Sequence, residues 1–71
     1  MKTLNEAIKV CKPQLDRMNE VEFMSDSYRA NMKRLQGNME MLVFIFGGKW
    51  SIEADEDGKD YITYNGEVIL R

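Results

Sequence analysis

The sequence predicts an α+β fold, with two or three N-terminal helices packed on a C-terminal three-stranded antiparallel β-meander in one domain spanning 1–71. Three observations predict it. Apolar residues recur every three or four positions through most of the chain's first two thirds. Trp50, Ile52 and Ala54 then alternate with Ser51 and Glu53, the period of a half-buried strand. Finally, Asn65-Gly66 stands between two short apolar runs, a strong hairpin signal.

Thr3-Leu4-Asn5-Glu6 has the spacing of a capping box and opens the first helix, with Leu4, Ile8 and Cys11 on one face. Pro13 lacks an amide hydrogen and disfavours helical geometry at Lys12. A helix end near Lys12 is therefore expected, with Pro13 in the first turn of a second helix. Leu15, Met18, Val21 and Met24 carry that helix to about residue 24. Ser25-Asp26-Ser27 is a cluster of N-cap residues and marks a restart. From there Tyr28, Met32, Leu35, Met39, Leu42 and Phe46 fall at intervals of four and three.

The stretch that organises the rest is Asn38–Trp50, in which six consecutive apolar residues, Met41–Phe46, stop at Gly47-Gly48. A third helix continuing to Phe46 would be about 31 Å long at 1.5 Å per residue. The alternative is a four-stranded sheet in which Gly37 ends the helix and 39–46 is a strand turning through Gly47-Gly48. The helix is favoured, because the spacing continues across Gly37 and one interior glycine costs only about 1 kcal/mol. In the meander, Asp57-Gly58 turns the chain into a strand at Asp60–Tyr64, and Glu67–Leu70 returns beside it. A two-residue loop sets Tyr64 opposite Glu67, Thr63 opposite Val68 and Ile62 opposite Ile69.

Seventy-one residues bury only about 60% of the surface that the unfolded chain exposes, so stability is marginal. Cys11 is the single cysteine, and histidine is absent, which removes both an internal disulfide and the usual zinc sites. Association, or an unusually good core, remains as a source of stability. The start of the chain has no apolar signal core, and six apolar residues fall short of the roughly 20 that span a bilayer. A cytoplasmic protein without membrane contact is expected. The net charge is −2, with the basic excess in the first half and the acidic excess in the second. Neither half approaches the basic signature of a nucleic-acid binder.

No residue constellation specifies a chemistry. Glu53, Asp55, Asp57 and Gly58 imitate the start of an EF-hand loop, but position twelve is Tyr64 and the flanks read as strands, so no metal is expected. Cys11 has no histidine partner and lies on an apolar helix face, which marks it as a core residue. Gly47-Gly48 lacks the rest of a phosphate-binding loop. Neither catalytic residues nor cofactor-binding ones are predicted.

These readings point to a small non-enzymatic protein-interaction module, an inhibitor or modulator that docks on a larger protein, self-associates, or does both. Its contact surface is expected near 39–50, through Met41, Phe44, Ile45 and Trp50, with a homodimer as the expected assembly. One alternative is an acidic nucleic-acid mimic presenting Glu53, Asp55, Glu56, Asp57, Asp60 and Glu67 to a DNA- or RNA-binding site. A second is weak nucleic-acid binding through Arg29, Lys33 and Arg34 on the third helix.

Overall fold

The computed structural model describes residues 3–71. Helix α1 (Leu4–Ile8) begins where Thr3 Oγ1 accepts the Glu6 amide at 3.2 Å. It passes through a 3-10 turn (Lys9–Cys11) into α2 (Lys12–Glu20). The three segments form one continuous helical arm, because Cys11 and Lys12 both keep right-handed helical backbone. Pro13 tightens the arm rather than breaking it. The Lys12 amide bonds to the Lys9 carbonyl, the short 3-10 spacing that accommodates a missing donor one residue later. The described residues thus form two helical bodies, not three.

The arm ends earlier than its apolar pattern suggests. Val21 is extended, Ser25 donates to the Glu22 carbonyl, and Met24 takes a left-handed φ of 62°. This turn brings Ser25 into position to cap α3 (Asp26–Phe46), where its Oγ accepts the Tyr28 amide at 3.2 Å. Helix α3 then runs 21 residues without interruption through Gly37 and stops at Gly47. The four-stranded alternative, with 39–46 as a strand, is therefore incorrect. One helix satisfies the backbone of 39–46 internally while Met39 and Leu42 reach the core, whereas a strand there would need cover on both apolar faces.

Strands β1 (Trp50–Ala54), β2 (Asp60–Tyr64) and β3 (Glu67–Leu70) form an antiparallel meander in the order β1-β2-β3. Asn65 and Gly66 both have positive φ, 53° and 85°, as a type I′ hairpin requires. Tyr64 pairs with Glu67 and Thr63 with Val68 as expected, but a register irregularity then sets Leu70, not Ile69, opposite Ile62. The shift lets Leu70 bury beside Ile62 while Ile69 packs at the edge of the core.

The core joins Ile8, Cys11, Leu15 and Met18 of the arm to Leu35, Met39 and Leu42 of α3, and to Ile62, Tyr64 and Leu70 of the sheet. Cys11 is fully buried with its Sγ 3.7 Å from Met39 Sδ, and burial raises its thiol pKa. It is a packing residue. At the other end of the molecule, a Cβ on Gly48 would sit 2.7 Å from both Asn65 Oδ1 and Tyr64 Cε1, so only glycine lets β1 leave α3 beneath the hairpin. The Tyr64 hydroxyl donates to the Gly47 carbonyl and ties β2 to that helix end.

Candidate functional site

The core-facing stripe of α3 consists of Tyr28, Leu35, Met39 and Leu42. Val43 packs at the edge of the core, and helical geometry forces other apolar residues of the last turns outward, because a 3.6-residue period cannot place six consecutive side chains on one face. Met41, Phe44 and Ile45 are 64%, 90% and 62% exposed. They lie at i, i+3 and i+4 and make one contiguous apolar surface on the C-terminal half of the helix. Phe46, 43% exposed, lies instead on the side of Leu42 and Met39, one turn beyond Leu42 where the helix ends. Trp50, grouped with these residues in the sequence reading, is placed elsewhere. It pairs with Tyr64 across β1 and β2, is half-buried against the core, and lines an open pocket beside Glu40 and Val43 of the helix.

The acidic residues are divided between contacts within the fold and solvent. Asp60 is 8% exposed and accepts the Tyr28 hydroxyl at 2.8 Å. Its backbone is held by Asn19, whose side chain accepts the Asp60 amide at 2.7 Å and donates to its carbonyl at 3.0 Å. These bonds fasten the end of α2, the start of α3 and the start of β2 to one another. The sequence contains the signal for this role, since Asp60 shares the inner face of β2 with Ile62 and Tyr64 at period two. Asp55 is likewise committed, because its Oδ1 accepts the amides of Asp57 and Lys59, each at 2.9 Å, and so shapes the β1–β2 loop. Glu53, Glu56, Asp57 and Glu67 remain exposed. Among the described residues no three His, Cys, Asp or Glu side chains come together as a metal site.

The basic residues of α3 are also divided. Arg29 pairs with Asp26 at 3.4 Å, while Lys33 and Arg34 take part in no ion pair among the described residues. Arg29 and Lys33 border an open groove of about 490 Å³ along the flank of the helix, lined also by Met24, Tyr28, Met32 and Gln36. Phe23 stands beside Tyr28, its ring edge-on at 5.1 Å. Phe23 and Met24 are exposed because the arm ends at Glu20, which the apolar spacing of Val21 and Met24 did not reveal.

No known protein family, curated protein or solved structure matches the chain. No helix among the described residues is long and apolar enough to cross a membrane.

Proposed function

We propose that this chain is a non-enzymatic protein-interaction module that docks through the outer face of the C-terminal half of α3. It would act on its partner as an inhibitor or modulator, by occupancy rather than by chemistry. The observation that carries this reading is Phe44, which is 90% exposed between Met41 and Ile45 on a helix capped at both ends. Burying one such side chain contributes about 1.5–3 kcal/mol, and a rigid helix presents it with little ordering cost left for binding. The acidic mimic is weakened because Asp55 and Asp60 are already engaged within the fold.

The test is sedimentation velocity of the fluorescently labelled chain, in buffer across a concentration series and in lysate of its native host. The comparison is with Phe44→Lys. Lysine suits this position, since α3 has no basic residue in its last turn and a cation there complements the helix dipole. The native chain should sediment faster than its 8.3 kDa mass allows in at least one medium, and the variant in neither. A native chain that behaves as an 8.3 kDa species in both media overturns the reading.

A further inference from the structure

Helix α3 carries a second pattern, on the face opposite its core stripe. Ala30, Gly37 and Phe44 recur every seven residues, two helical turns apart, and all three are exposed. Gly37 stands close to the midpoint of Asp26–Phe46. Among the described residues nothing explains a glycine there. Its backbone is helical, and a Cβ would meet no atom within 4 Å, yet glycine weakens a helix interior. A small residue at the centre of a helix face is what close approach of another helix needs, because the residues at the contact set the interaxial distance.

The outer face is complementary to itself when turned end for end. Rotated about an axis through Gly37, the small Ala30 comes opposite the large Phe44, and Gly37 comes opposite its own copy. On one flank, Lys33 and Glu40 are also seven residues apart and nearly symmetric about the same centre. In an antiparallel pair, residues of the same flank face each other, so each Lys33 meets the other chain's Glu40. Both are exposed and neither has an ion-pair partner among the described residues. The basic residues Lys33 and Arg34 also precede the centre, while the negative end of the helix dipole lies beyond it. A parallel pairing would instead set Phe44 against Phe44 and turn each Lys33 toward the opposite flank of its partner, away from Glu40.

We infer that the occupant of this face is a second copy of the chain, bound antiparallel along α3 about a two-fold axis at Gly37. This inference rests on the outer face of α3 being a docking surface, and it names the partner and the geometry. Phe44 of each chain covers Ala30 of the other, flanked by Met41 and Ile45 and bounded by the Lys33–Glu40 pairs. A contact along a single helix pair is small among specific interfaces, so the dissociation constant should be on the order of micromolar.

The test compares sedimentation equilibrium of the native chain with Lys33→Glu, Glu40→Lys, an equimolar mixture of those two, and Gly37→Gln. Each charge variant places like charges at two symmetric positions and should weaken association by about tenfold. The mixture should recover it, because a heterodimer restores opposite charges at both positions. Gly37→Gln should weaken association while raising the melting temperature at low concentration, since it improves the helix and meets no neighbour within the chain. A misfolded variant cannot show that combination. A native chain that dimerises without recovery in the mixture has another geometry, and the inference fails. A native chain that stays monomeric in buffer at millimolar concentration also overturns it. The docking reading then stands only if the labelled chain still sediments faster in lysate.

Discussion

Tyr28 carries the most consequential polar contact of the molecule. It is 3% exposed, and its hydroxyl donates to Asp60 at 2.8 Å. Burial first, then the bond and the negative charge of Asp60, push the phenol up to about 12. An unfolded tyrosine titrates near 10. A raised folded-state value means that the phenol favours folding fully below about pH 10, and that this contribution is lost as pH rises through about 12. Tyr28→Phe should therefore destabilise the chain by roughly 1–2 kcal/mol near neutrality, because it leaves a buried carboxylate oxygen without this donor. The gap between native and variant in urea unfolding should narrow from about pH 10 upward. A gap independent of pH to 12 would show that the loss comes from packing rather than from the bond. The sequence-level reading of Asp60 as a surface acid missed this role, because it weighed the charge of the 53–60 loop before the alternation of β2.

At the scale of elements, β2 and β3 begin and end where the turn signals place them, and α3 extends through Gly37 as its apolar spacing requires. These elements were legible because local chemistry and long-range burial agree there. The misreadings lie where only tertiary contacts decide. Pro13 is absorbed by a 3-10 turn because the arm must stay straight enough to set both Ile8 and Leu15 on α3. Met24 leaves the helix because Ser25 is needed as a cap. The three exposed contact residues Met41, Phe44 and Ile45 follow from any continuous helix with Leu35, Met39 and Leu42 inside, whereas Trp50 required knowledge of the pairing with Tyr64. The β3 irregularity was not visible either, since Ile69 and Leu70 are equally apolar and only the fit to Ile62 separates them. It makes a direct prediction. Leu70→Ala should cost about 2–3 kcal/mol, and Ile69→Ala clearly less, because Leu70 fills the buried place beside Ile62. Equal losses in urea unfolding, or a larger one for Ile69→Ala, would restore the uninterrupted register.

The whole molecule measures 36 × 23 × 16 Å, and α3 runs along its length as one wall. The inner side of that wall holds the core, while its outer side ends in the exposed Met41, Phe44 and Ile45. A chain of 71 residues with one free, buried cysteine has few other means of adding stability. If the outer face is covered by a second chain, unfolding must also separate the pair, and stability becomes a function of concentration. Raising the protein tenfold above its dissociation constant should then raise the melting temperature by several degrees, since 1 kcal/mol corresponds to about 4–8 °C in a domain of this size. Phe44→Lys should melt at the same temperature at every concentration. At high dilution it should match the native chain to within about 0.5 kcal/mol, the usual range for an exposed site. Differential scanning calorimetry over a broad concentration series measures both quantities. A native melting temperature that does not move with concentration would show that self-association adds nothing to the fold. A variant much less stable than the native chain even at high dilution would instead place Phe44 within the folded core, against its 90% exposure.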